Sequence, residues 1–123
     1  MKRKICILLL ILCGIFPLFS NEIQFDISEM NDTMSFSMLF QITMNPDFFL
    51  DTTIKINGRF LRDYSYFSER YYNYVMITDE AGCCQNGLEF LVKNKENIDA
   101  NYPAQNEEIS IIGTLKMLEA GGY

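Results

Sequence analysis

Histidine is missing from all 123 residues. Its absence excludes the Ser-His-Asp and Cys-His nucleophile arrangements and removes the commonest zinc ligand. Basic side chains are few, ten lysines and arginines against sixteen acids, for a net charge of −6. A surface that acidic repels phosphate backbones, so nucleic acid is not an expected partner. Cysteine is scarce, with four in the chain. The main apolar run extends only from Ile5 to Ile15, short of the roughly 20 residues that a membrane-spanning helix needs. There is no internal repeat and no low-complexity tract.

What stands at the start has the layout of a secretory signal. Lys2, Arg3 and Lys4 precede the apolar run, and Phe16-Pro17-Leu18-Phe19-Ser20 follows, ending on a small residue. Cleavage between Ser20 and Asn21 is the expected processing. Lipid attachment at Cys13 is one alternative and an uncleaved anchor another. Removing residues 1–20 takes three bases and no acids, which moves the charge from −6 to −9. Cys6 and Cys13 leave with the signal, so the mature chain keeps only Cys83 and Cys84. The expected location is periplasmic or secreted. A membrane-anchored lipoprotein is the alternative, associated through the lipid or the retained signal.

Residues 21–32 are polar and acidic and read as a leader into a domain over 33–123. Within "TMSFSMLFQITMNP", Met34, Phe36, Met38, Phe40, Ile42 and Met44 alternate with smaller or polar residues, which is strand periodicity. Met34, Met38 and Ile42 also share a helical stripe with Leu39; Asp32 or Thr33 would cap such a helix and Pro46 would stop it. Pattern alone favours the strand. Clearer strands follow. "TIKINGRFL" sends Ile54, Ile56 and Phe60 one way and Lys55, Asn57 and Arg59 the other. "RYYNYVMITD" is aromatic and β-branched, "LEFLVK" places Leu88, Phe90 and Val92 on one face, and "EISIIGTLKML" does so for Ile109, Ile111, Leu115 and Met117. Gly58 and Gly113 sit at core-facing positions, where glycine commonly marks a bend or barrel corner. Four curled strands, with a loop or short helix in "NKENIDANYPAQNEE", predict a mainly β, OB-like barrel of four to five strands. A fifth strand would begin where "LEAGGY" ends the chain.

Three stretches, "FDISEMNDTMSF", "ITDEAGCCQNGLEFLV" and "YPAQNEEISIIGTLKMLEAGGY", carry a resemblance. The chain resembles a family of uncharacterised small exported bacterial proteins and lipoproteins with an OB-like domain and an A-C-C-x-Q-G-L-E-F motif. That domain is related to the C-terminal domain of a permease-associated membrane protein family. Cys83, Cys84, Gly87, Leu88, Glu89 and Phe90 match the motif, and Asn86 stands where the family has glutamine. The resemblance implies an OB-like domain outside the cytoplasm with a helical "TMSF" segment. It implies no activity.

Cys83 and Cys84 are neighbours between the turn signals Asp79-Glu80-Ala81-Gly82 and Asn86-Gly87. Four fates are open to such a pair. The thiols can pack, one in the core and one at the rim, or bond to each other in a strained, redox-labile ring. They can hold a thiophilic metal such as zinc with Asp79, Glu80 or Glu89, or bridge to a second chain. A second candidate is "LRDYSYFSERYYNY", whose Arg62, Tyr64, Tyr66 and Tyr72 would form a stacking face for a sugar or base if they are not packing residues. The methionines of residues 30–44 read as a core stripe. No carboxylate pair points to general acid–base work. The expected function is therefore a non-enzymatic binding or interaction module for a protein, peptide or small molecule. The alternative is a metal-binding or thiol-redox protein using the two cysteines.

Overall fold

The computed structural model of the chain describes residues 22–92 and 102–118. The expected signal with Cys13, the Ser20–Asn21 junction, most of the 94–108 connection and the last five residues lie outside the described residues.

The chain enters through a two-residue strand, β1 (Phe25–Asp26), and a single 3-10 turn, then forms helix α1 (Asp32–Met44). Four further strands follow: β2 (Thr53–Ser65), β3 (Arg70–Thr78), β4 (Gln85–Glu89) and β5 (Glu108–Thr114). The protein is thus mainly β, a five-stranded sheet with one helix. Long β2 is the spine. Its first half pairs antiparallel with β5, from Thr53 opposite Thr114 to Arg59 opposite Glu108. Its second half pairs antiparallel with β3, from Arg59 opposite Met76 to Ser65 opposite Arg70. β4 lies outside β3, and β1 runs parallel to β2 beside Ile54 and Lys55, where β3 no longer reaches. Part of the stretch read as a polar leader is therefore built into the sheet, and Ile27 is buried in the core.

The strand alternation read from the sequence holds in β2 and β3, whereas Val92 and Met117, read with the inward residues of the last two strands, are exposed beyond the ends of β4 and β5. Ile54, Ile56 and Phe60 of β2 and Asn73, Val75 and Ile77 of β3 face inward. Inward Ile109, Ile111 and Leu115 pack against the same core. α1 lies over it, contributing Leu39 and Ile42, with Phe36 and Met38 partly buried alongside.

Two readings are overturned. The strand that the alternation of residues 32–44 favoured is one; the N-terminal helix that the resemblance implied is what forms there. Its cap is Asn31, whose side-chain oxygen accepts from Met34 N–H at 2.9 Å, rather than Asp32 or Thr33; it ends one residue before the Asn45-Pro46 stop. The methionines are only half core, because Met34 and Met44 are exposed. The sheet, moreover, is not closed into a barrel. Among the described residues no strand joins β4 to β5, and closure needs a strand hydrogen-bonded to both.

The Asn86-Gly87 dipeptide is likewise no turn; it lies within β4. Both it and Gly58 serve close approach to β3. A Cβ on Gly58 would stand 2.5 Å from the Met76 carbonyl oxygen and 2.8 Å from Val75 Cγ2. One on Gly113 meets nothing within 4 Å. Gly58→Ala is expected to lower stability by about 1–3 kcal/mol, the usual range for overpacking, because backbone must move. Gly113→Ala should be neutral or slightly stabilising. Urea midpoints of the two variants check this contrast; equal losses would mean that β3 does not press on β2 at Gly58. Among the described residues no helix is long and apolar enough to cross a membrane.

Candidate functional site

β3 ends at Thr78 and β4 begins at Gln85, leaving six residues to reverse the chain. Asp79 organises them. Its N–H donates to the Cys84 carbonyl at 2.9 Å, and its carbonyl accepts from Gly82 N–H at 2.9 Å. Its Oδ1 accepts from the backbone N–H groups of Cys83 at 2.9 Å and Cys84 at 3.1 Å. This is the short-range capping that Asp performs well, because a carboxylate accepts without donating. Gly82 takes φ +71°, a left-handed conformation open to glycine at little cost. The loop is tethered to α1, since Thr33 Oγ1 donates to Glu80 Oε2 at 2.8 Å. One helix length further, Asn86 Nδ2 donates to Thr43 Oγ1 at 3.2 Å.

This turn decides the fate of the cysteines. In an extended strand neighbouring side chains point to opposite faces. Here the bend brings both sulfurs to one side, 3.7 Å apart, with both residues exposed. The packing reading is thereby overturned: neither thiol is in the core. The Cys83 thiol donates to Asp79 Oδ2 at 3.3 Å. Asp79, Cys83 and Cys84 each offer one ligand atom, all within 4.8 Å of one another.

The electrostatics follow from these contacts. The Asp79 carboxyl is held below the usual carboxylate range, chiefly by hydrogen bonding from the Cys84 backbone. The Cys83 thiol is pushed up from its ordinary 9.0 to about 11, first by its hydrogen bond to Asp79 and next by Cys84. The contribution of Asp79 to stability is present above the unfolded carboxylate pKa and lost as pH falls through its lower folded value. That of Cys83 is complete below pH 9 and lost as pH rises through about 11.

Glu89 does not join this cluster. It lies in β4 opposite Tyr74 and pairs with Arg70, Nη2 to Oε1 at 3.5 Å. Glu80, the other acid considered, is committed to Thr33. The aromatic candidates are brought together only in part. Tyr64 contacts Tyr66 and Tyr71 with ring centroids 5.1 and 4.9 Å apart. Arg62 lies 4.2 Å above both Tyr71 and Tyr102, on the same face. Tyr72 is on the opposite face, stacked beside Tyr74 and under Arg70 at 3.9 Å. Tyr66 and Phe67 stand exposed at the hairpin tip. No single stacking platform results, since side chains at odd and even positions diverge across the pleat.

Sequence reasoning named Asp79 as a candidate ligand but missed its part as the cap that aligns the thiols. An Asp four and five residues before two backbone N–H groups, with Gly82 between, was the available signal. Compared with family models, curated proteins and solved structures, the chain matches none.

Proposed function

We propose that this protein is a non-enzymatic binding module working outside the cytoplasm, and that its ligand is a thiophilic metal ion held by Asp79, Cys83 and Cys84. One observation carries the reading: two edges of a coordination tetrahedron already have their length. Tetrahedral zinc with Zn–S of about 2.3 Å and Zn–O of about 2.0–2.2 Å separates two sulfurs by about 3.8 Å and a sulfur from an oxygen by about 3.5 Å. The Sγ–Sγ and Sγ–Oδ2 distances in the loop are 3.7 and 3.3 Å.

The exchange that binding requires is simple. A metal ion takes the place of the proton that Cys83 shares with Oδ2 and of the Cys84 thiol proton, both of which leave to solvent, while Oδ1 keeps its two backbone bonds and the loop its shape. A fourth position is left to water or to a ligand from outside. Two sulfurs and no imidazole favour soft or borderline ions such as zinc and cadmium over magnesium or calcium. The raised Cys83 pKa weighs against a thiol-redox catalyst, which needs a thiolate at neutral pH. Export and the family resemblance belong to the same proposal. The strand order β5-β2-β3-β4, which matches four strands of an OB barrel, supports the resemblance.

Titration of the reduced protein with cadmium, followed by the ultraviolet thiolate-to-cadmium band, tests the reading. One equivalent should bind. Because Cys83 must lose its proton, affinity should rise at least about tenfold per pH unit through the neutral range. Absence of a thiolate band, or a pH-independent affinity, would count against metal at this loop.

A further inference from the structure

The sheet curls so far that its two free edges come to line one gap. Residues 90–92, which continue beyond β4, form one wall, and Ser110–Thr114 of β5 form the other, around a slot of about 560 Å³. Phe90 N–H still donates to the Asn73 carbonyl at 2.9 Å, so this wall remains in the sheet. On the opposite wall, among the described residues, β5 is paired with β2 along one edge only. In an antiparallel pair every second residue turns its N–H and C=O away from its partner, so β5 presents backbone groups to the gap that no described residue answers. Among the described residues the slot is lined by no charged side chain, and Leu91, Val92 and Ile112 are exposed around it. Inside, Gly113 leaves a hole, with no heavy atom within 4 Å of where its Cβ would be.

From this we infer that the slot accepts one extended segment of a partner protein, which adds itself as a strand beside β5 and against residues 90–92. Backbone pairing supplies affinity and side-chain pockets supply selection, as in other strand-addition interfaces. The site is about five residues long on the β5 side. A large apolar side chain of the segment fills the hole at Gly113, as aromatic neighbours do for glycines in sheets. Charge separates the possible donors. The chain carries −6, or −9 without residues 1–20, so a second copy meets repulsion while a neutral or basic segment does not. The slot shares no residue with the thiol loop, and it stands or falls separately from metal binding.

Three labelled seven-residue peptides test it against the full protein by fluorescence anisotropy. The first alternates threonine with valine and phenylalanine and has lysine at each end; the second is its N-methylated counterpart at alternate backbone nitrogens; the third is the first with aspartate ends. The first should bind, the second at least about tenfold more weakly, and the third between them. Hydrogen exchange should show alternate β5 amides unprotected in the free protein and protected with the first peptide. Equal binding of the N-methylated peptide would overturn strand addition. Alternate β5 amides already protected in the free monomer would overturn the vacant acceptor, the slot then being filled by the chain itself. The same protection in a dimer, seen by sedimentation, would overturn the choice of partner in favour of a second copy.

Discussion

Replacing either cysteine with serine, Cys83→Ser or Cys84→Ser, is expected to weaken cadmium binding at least about a hundredfold, and replacing both to abolish it. The figure follows from sharing the roughly 10–16 kcal/mol of a four-ligand structural zinc site over its ligands, about 3 kcal/mol or somewhat more each. Serine keeps the size and the hydrogen-bonding ability of the side chain but not its affinity for soft ions. The fold should be untouched, because both thiols are exposed and neither packs against the core. Metal titration and thermal melting of the same samples separate the outcomes. Unchanged cadmium affinity in the double variant would place the ion elsewhere. A large drop in melting temperature would mean that the cysteines do structural work that their exposure does not suggest.

The second large effect lies in the layer that holds the loop in place. Leu39→Ala should cost about 2–5 kcal/mol, the range for removing a buried leucine where the surroundings cannot close the cavity. Leu39 is 0% exposed and sits in α1 against Ile42, Ile56, Val75 and Ile77. For a domain of this size each kcal/mol moves the melting temperature by roughly 4–8 °C, so a fall of 10 °C or more is expected. Because a small domain has about 5–15 kcal/mol in all, this single change removes a large share of the margin. Ile112→Ala, exposed on β5, is the control and should change little. Similar small losses in both variants would mean that α1 is not seated on the sheet.

The contrast between these two residues also shows which parts of the fold are legible in the sequence. Ile54, Ile56 and Phe60, like Val75 and Ile77, alternate because each strand has one face on the core, and a period of two records that directly. α1 left two competing records, a helical stripe through Leu39 and Ile42 and an alternation that hid it. Phe36, Phe40 and Met44 occupy the same even positions as Met38 and Ile42, which imitates a strand, while the residues that became buried are Ser35, Leu39 and Ile42. Burial of Ser35 rests on its hydroxyl reaching the Ile27 and Met30 carbonyls, both at 3.2 Å, a tertiary fact with no periodic signature. Asn86-Gly87 misled for a similar reason: the glycine serves the Met76 side chain, whose sulfur would lie 2.3 Å from an added Cβ, and not a turn. The curl of the sheet was legible in Gly58, but its failure to close was not, since closure depends on which strand lies opposite which edge.

At the thiol loop the candidate ligand types were legible and their geometry was not. Adjacency alone places two cysteines on opposite faces unless something bends the chain. That something is Asp79, whose two bonds to the Cys83 and Cys84 N–H groups depend on the spacing of a turn already formed. Glu89 had an equal formal claim as a ligand, yet the register of β4 against β3 sets it beside Tyr74 and Arg70.

X-ray absorption of the reduced protein loaded with one equivalent of zinc tests the central claim most directly. Expected is a first shell of two sulfurs near 2.3 Å completed by oxygen near 2.0–2.2 Å, with no nitrogen from histidine. A shell of oxygen alone would contradict it, and so would four sulfurs, which would assign the ion to a pair of chains.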